Sequence, residues 1–389
     1  MKAPAAPGPG LRGRAGGTRG GGRYGGDESV TNLERLQKLL VEREIPGMIV
    51  SALHNVHWLT GFSGSAGTVF VTPRDALFLT DGRYTLQARD EVKDMESSTT
   101  TTERPLAAQI KERAEADGAS RLAFEGENLT YANYESWCDK LAPIQLFSVK
   151  DVCGELGMVK TPDEIARIRE ACALTDACFE HVIRKVQVGV RELDISLDIE
   201  FFFKRQGAGL AFDPIVVSGE RSALPHGTPT EKKLEAGDFV TMDFGAKVKG
   251  YCADITRTVV VAKASDRHLE IYDLLLRSQL AAIAEVRPGA AASHVDKVPR
   301  DILAEKDLAK YFTHGLGHGL GGIVHAAGRL HVTSETVLEA NQVWTIEPGV
   351  YIEGFGGARI EDDVLVTEGG CEVLTHSPKE LLVVPPYGT

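Results

Sequence analysis

No stretch of this chain stays apolar over the roughly 20 residues a helix needs to cross a bilayer, which excludes a membrane-spanning protein. Cysteine is sparse: the six residues at 138, 153, 172, 178, 252 and 371 include no C-x-x-C pair and lack the density of a disulfide framework. A reducing, cytoplasmic setting is therefore expected. Positive charge is short as well. A formal net charge of -12 argues against broad nucleic-acid binding by the globular body, because phosphate contacts require clustered Lys and Arg. The amino-terminal arginines flank no apolar core, so no secretory signal is expected. What remains is ordinary for a globular protein, with 43% hydrophobic and 25% charged residues. At 389 residues, two domains of common size are expected.

Residues 1–26 are dominated by Gly, Ala, Pro and Arg, a composition that cannot bury enough surface to order itself. The expectation is a disordered tail, with RNA binding through the run TRGGGRYGG as a weaker alternative. Folded sequence begins at Thr31, where Thr31 and Glu34 form a capping box ahead of Leu33, Leu36, Leu39 and Leu40 at helical spacing. Strand-like runs at 47–52, 68–71 and 76–80 alternate with helices to about residue 150, a compact α/β domain over 31–150. Asp81, Arg83 and Tyr84 end one of these strands and read as a solvated loop or a face toward a neighbouring subunit.

Near Val159 the pattern changes. Thr161, Pro162 and Glu164 supply an N-cap, a proline at the first helical position and a capping-box partner for a long amphipathic helix. A second helix runs from about Glu192 to Gln206 and stops at Gly207, a third follows Ser265, and a fourth around Val295 to Ile302 should kink at Pro299. Residues 210–261 and those from 312 onward are strand-like and glycine-rich. Helices and antiparallel strands segregate, so a second domain over 159–389 is expected to be α+β.

The segment Phe239 to Thr258 reads as two strands around a turn between Gly245 and Gly250. Val240, Met242 and Phe244 alternate with Thr241 and Asp243, while Cys252, Asp254, Thr256 and Thr258 share a face. A hairpin symmetric about that turn would place Asp243 directly across from Asp254. Like charges in that position cost stability unless a cation lies between them. Three further candidates join the pair: His318 in THGLGHGLGG, Glu347 in VWTIEPGVY and Glu361 in GARIEDDVLV. Four carboxylates and one imidazole suit a pair of hard or borderline divalent ions and exclude thiolate-based chemistry.

LPHG (Leu224 to Gly227), MDFGA, YCADITRT, HGLGHGLG, IEPGVY and GGARIEDDVLVTEGG together closely resemble, in sequence and order, the pita-bread metallopeptidases, and specifically Xaa-Pro aminopeptidases and Xaa-Pro dipeptidases. The resemblance covers about residues 31–389, the first domain resembling the creatinase-type N-terminal domain. It implies that Asp243 chelates one metal, that His318 and Glu347 bind the other, and that Asp254 and Glu361 bridge both. Two divalent ions per chain are implied, manganese first, with cobalt or zinc as alternatives. It also implies catalytic roles for Glu347 as proton carrier and for His226 and His325 as partners of the substrate carbonyl and oxyanion. His314 matches a further family histidine, with Tyr351, Arg359 and Thr256 supporting the site or the substrate. A homodimer or larger assembly is implied.

The implied reaction is hydrolysis of the Xaa-Pro bond at a peptide's amino terminus. The aminopeptidase reading is preferred because the stretch Ala326 to Ile346, which in longer dipeptidases carries an arginine for the free carboxylate of proline, is short here and holds only Arg329. A dipeptidase anchored by Arg329 or Arg359 is the alternative, and a non-catalytic binding protein of the same fold a further one. Gly322, Ile323, Val324, His325 and Ala326 depart from the family's usual GLEVHE or GLDVHD by lacking both acidic residues, which bears on how the substrate's amino terminus is held.

Overall fold

A computed structural model of the chain describes residues 30–385. The tail expected over residues 1–26 and its RNA-binding alternative lie outside the described residues. Among those described, no helix is long and apolar enough to cross a membrane.

The first helix, Asn32–Glu42, starts on the anticipated capping box: the Thr31 hydroxyl accepts from the Glu34 amide at 3.2 Å and the Glu34 carboxylate accepts from the Thr31 amide at 2.7 Å. It covers a six-stranded sheet in the order Glu96–Thr100, Ala76–Asp81, Thr68–Val71, Met48–Val50, Arg121–Glu125, Gln145–Val149. Every neighbouring pair is parallel except those involving Thr68–Val71, which is antiparallel to both its neighbours. Both faces are buried, and the two-residue period sorts the side chains. Val69 and Val71 enter one core with Leu36 and Leu40, whereas Phe70 enters the other with Ile110 and Leu122.

The chain then crosses to its second half through a junction held from both sides. The Arg35 guanidinium donates to the carbonyls of Leu156 (2.5 Å) and Val159 (3.0 Å), and the Lys160 amide donates to Asn341 at 2.9 Å. Helix Pro162–Val182 opens on the predicted Thr161 and Glu164 capping box, and helix Glu192–Arg205 is followed by Gly207 at φ 74°. Phe179, Ile195, Ile199 and Phe203 of this pair pack on Val216, Val240, Met242 and Phe244, one face of a four-stranded sheet ordered Val383–Val384, Ile255–Val261, Phe239–Phe244, Ile215–Ser218. A second pair, Asp266–Glu285 and Ala292–Ala304, packs against Trp344, Ile346, Val364 and Val366 of a five-stranded sheet ordered Ala326–Leu330, Gly317–Gly319, Val343–Ile346, Asp362–Thr367, Gly370–Val373. The apolar side chains of each sheet face its helices. The polar alternates, among them Thr241, Asp243 and Thr345, are left for the opposite face. The helix expected to kink at Pro299 continues past it to Ala304, and Arg300 beside it donates to the Phe312 and His314 carbonyls at 2.9 and 2.5 Å.

The hairpin register differs from the expectation. Asp243 lies opposite Thr256, not Asp254, and the same register continues through Lys247 with Cys252 and Val248 with Tyr251. The reason is the turn. Lys249 at φ 48° and Gly250 at φ 86° form a two-residue connection with both central residues left-handed, the geometry that matches strand twist. That centres the hairpin one residue later than a register pairing Asp243 with Asp254. Asp254 falls between the strands Tyr251–Cys252 and Ile255–Val261, and its amide leaves the ladder to donate to Asp363 at 2.9 Å.

One buried ion pair ties the four-stranded sheet to the other. Asp362, fully buried, accepts from Arg257 (2.7 Å), Lys379 (2.6 Å), Gln279 (2.6 Å) and Thr375 (2.9 Å). Removing the carboxylate leaves the buried Arg257 uncompensated. Asp362→Ala is therefore expected to lower the urea midpoint by an amount equivalent to about 3–5 kcal/mol; an unchanged midpoint would show that the pair does not bind the sheets.

Candidate metal centre

The five residues proposed from sequence as metal ligands all line one cavity of about 450 Å³ between the two sheets. Asp243 comes from the strand Phe239–Phe244, Asp254 from the hairpin interruption, His318 from Gly317–Gly319, Glu347 from the residue after Val343–Ile346, and Glu361 from the break between Gly356–Arg359 and Asp362–Thr367. Ligand atoms of Asp254, His318 and Glu361 all lie within 4.8 Å of one another. His318 Nε2 is 3.6 Å from Asp254 Oδ2 and 3.5 Å from Glu347 Oε1. Gly317 permits this convergence: a Cβ there would sit 1.9 Å from the Thr345 carbonyl oxygen of the adjoining strand.

Protonation follows from the hydrogen bonds. His318 Nδ1 lies 3.1 Å from the Gly319 carbonyl, to which it donates, so its Nε2 carries the lone pair. Burial pushes the imidazole pKa down to about 3, leaving it neutral. A lone pair is thus aimed at two carboxylates. Asp254 and Glu361 are held well above the usual carboxylate range, first by burial and then by each other's neighbours, Glu361 and Asp243 acting on Asp254, Glu347 and Asp243 on Glu361. Glu347 is raised to about 7, again chiefly by burial. Asp243 Oδ1 and Asp254 Oδ1 are buried with no protein partner. Acceptors facing acceptors, two of them orphaned, fit divalent cations.

A single guanidinium orders the set. Arg359 bonds Asp243 Oδ2 and donates to Thr256 Oγ1 (2.8 Å) and Tyr351 Oη (2.8 Å). Thr256 in turn donates to Glu361 Oε2 at 2.6 Å. Tyr351 Oη donates to His314 Nε2 at 2.9 Å, because His314 Nδ1 is engaged with the Gly315 carbonyl at 2.7 Å. Burial, then Arg359, holds His314 down at about 4, so it is neutral and accepts. His325 stacks edge-on against His318 with ring centroids 4.4 Å apart, and the exposed His226 also lines the cavity.

Sequence reasoning missed several supports. Fully buried Glu192 accepts from the Ser218 amide (2.7 Å), the Ser218 hydroxyl (2.8 Å) and the Thr230 hydroxyl (2.8 Å), clamping both ends of the loop that carries His226. Its position in the first turn of a helix gave no hint of this. Asp363 lies behind Asp254 and fixes its amide. Phe212 and Ile215 supply an apolar wall.

Residues 166–368 match the model of metallopeptidase family M24, and residues 32–159 that of the creatinase/prolidase N-terminal domain. An Xaa-Pro dipeptidase of Pyrococcus furiosus is 36% identical over 351 residues, covering 90% of this chain and 99% of the relative. The solved structure of an Xaa-Pro dipeptidase from Bacillus anthracis is 40% identical, with a TM-score of 0.87 over 90% of this chain and 99% of that one. That of an X-Pro aminopeptidase from Thermotoga maritima is 33% identical, with a TM-score of 0.82 over the same shares. The chain belongs to metallopeptidase family M24, with a creatinase-type N-terminal domain preceding a pita-bread catalytic domain.

The raised carboxylates make stability depend on pH in the metal-free protein. An acid whose pKa is higher folded than unfolded stabilises the fold while protonated, and that contribution is lost as pH rises through the folded value. Glu347, ordinarily near 4.5 and here about 7, places the loss between about pH 5 and 8. Chelator-treated protein is expected to show a falling urea midpoint across that window, saturating divalent metal to flatten it, and Glu347→Gln to reduce it. A level midpoint in the chelated protein would contradict the assigned repulsion.

Proposed function

We propose that this metallopeptidase hydrolyses Xaa-Pro peptides, with Asp243, Asp254, His318, Glu347 and Glu361 holding two divalent ions. Bound there, the ions supply Lewis-acid activation of a water and of the scissile carbonyl. The protein's own groups do the rest. Glu347, at the cavity edge and hydrogen-bonded to Thr345 at 3.1 Å, carries the proton from the water toward the leaving nitrogen. His226 and His325, which both line the cavity, donate to the carbonyl oxygen and the oxyanion it becomes. The leaving nitrogen of an Xaa-Pro bond is a tertiary amide whose ring is rigid and apolar, and Phe212 and Ile215 offer the matching wall.

The observation that favours a dipeptidase is Arg329. It lies opposite His318 in the strand pairing and lines the metal cavity, and its Nη1 donates to the Ala326 and Gly328 carbonyls at 2.9 and 2.8 Å. Among the described residues it forms no ion pair. An exposed guanidinium beside the metal ligands suits the free carboxylate of a carboxy-terminal proline. Arg359, the other candidate anchor, is fully engaged by Asp243, Thr256 and Tyr351. The expectation of an aminopeptidase rested on the short Ala326 to Ile346 arm. That reasoning is weakened by the Pyrococcus furiosus dipeptidase, which matches over 99% of its length and so reaches that specificity at this size.

A metal-loaded activity panel tests the reading. Xaa-Pro dipeptides are expected to exceed both Xaa-Pro-Yaa tripeptides and Xaa-Ala controls in kcat/KM. Arg329→Met is expected to raise KM for Xaa-Pro about tenfold or more, the scale of a lost charged hydrogen bond. His226→Ala and His325→Ala are expected to keep metal while losing about 10²-fold in kcat. Equal turnover of tripeptides, unaffected by Arg329→Met, would restore the aminopeptidase reading.

A further inference from the structure

A second cavity, of about 630 Å³, lies between the N-terminal and catalytic domains and meets the metal cavity at His325 and Arg329, which line both. Apart from those two residues, no group lining it takes part in the proposed hydrolysis. Its lining includes Lys160, which is only 4% exposed at the junction between the domains. The ammonium donates to the Met158 carbonyl at 2.9 Å and, among the described residues, forms no ion pair. The charge acting on it most strongly in its favour is Glu164, but that carboxylate is already engaged by the Thr161 amide (2.8 Å) and the Tyr251 hydroxyl (2.9 Å). Burial lowers the Lys160 pKa to about 8, which still leaves it mostly charged at neutral pH. A buried cation with one of three donors used is costly unless an anion meets it.

A second unsatisfied donor belongs to the lining. Trp58 lines the cavity, its buried Nε1 has no acceptor, and a Cβ on Gly157, three residues before Lys160, would lie 3.8 Å from that nitrogen. Indole and ammonium donate only, so neither can satisfy the other. A cation would be repelled by this pair, and an apolar ligand would leave both unsatisfied. Elsewhere on the lining, Asp151 and Glu127 offer carboxylates to an ammonium. Donors for a carboxylate and acceptors for an amine are the requirements of a zwitterion.

We propose that the interdomain cavity is a second ligand site, separate from the metal centre, that takes a free amino acid or short peptide with its carboxylate against Lys160 and the Trp58 N–H. It shares His325 and Arg329 with the metal cavity. The site is independent of whether the enzyme prefers dipeptides or longer peptides.

Trp58 is a built-in reporter, one of three tryptophans in the chain. Metal-loaded protein titrated with L-proline is expected to show a saturable change in tryptophan emission, and titration with L-prolinamide, which lacks the carboxylate, none. The change is expected to vanish in Trp58→Phe and to need about tenfold or more proline in Lys160→Met, while persisting in Lys160→Arg. Gly157→Leu, which fills the cavity without altering Lys160, provides the same test should Lys160→Met fold poorly. Asp254→Asn, at a residue that lines only the metal cavity, separates the two sites: it is expected to abolish dipeptide hydrolysis and to leave the emission change intact. An equal response to prolinamide, or a proline response unaltered in both Lys160→Met and Gly157→Leu, would overturn the proposal.

Discussion

Four carboxylates share one site in which a single guanidinium, that of Arg359, hydrogen-bonds any of them, and the catalytic half of the molecule is arranged around that imbalance. Arg359 offsets part of it through Asp243 and, by way of Thr256, reaches Glu361. It makes no hydrogen bond to Asp254 or Glu347, although its charge partly offsets the burial of Glu347. Those carboxylates are raised in pKa, and the neutral His318 nitrogen points at them with a lone pair rather than a proton. Such a site opposes folding by its own electrostatics, and what it lacks is positive charge. The surrounding structure must supply enough rigidity to hold it open for cations.

That rigidity comes from two sheets, each backed by a helical pair on its apolar face. Strand periodicity puts Val240, Met242 and Phe244 into one core and Trp344 and Ile346 into another, which leaves Asp243 and Thr345 with the site. Hydrogen bonds to the backbone then fix the ligands. Asp363 holds the Asp254 amide, Thr345 accepts from the His318 amide at 3.1 Å, and the Glu361 amide donates to the Thr256 carbonyl at 3.1 Å. The last of these joins the two sheets at the centre of the cluster, next to the buried Arg257 and Asp362 pair. Ligand placement and sheet packing therefore depend on the same few residues.

Much of this was legible in the sequence because it is local. Capping boxes at Thr31 and Thr161, the stop at Gly207 and the alternation of Phe239 to Phe244 are written in residues a few positions apart, and the helices and strands follow them. The hairpin register was not, because a shift of one residue in the turn centre depends on Lys249 adopting a left-handed conformation that its side chain does not announce. The candidate ligands could be singled out by residue type and motif, but their convergence is long-range. Nothing near Glu192 or Asp363 in the sequence tells that one clamps the His226 loop and the other the Asp254 amide. Arg329 was noticed, yet its standing as an unpaired guanidinium beside His318 required the pairing of the two strands.

The account rests on the carboxylate cluster holding cations rather than protons. Elemental analysis of protein loaded with Mn²⁺ and freed of excess metal measures this directly, with Asp254→Asn as the paired sample. Two ions per chain are expected in the unaltered protein and fewer in the variant, with hydrolysis abolished when chelator removes them. Protein that binds no divalent ion, or that hydrolyses Xaa-Pro fully in chelator, would contradict it.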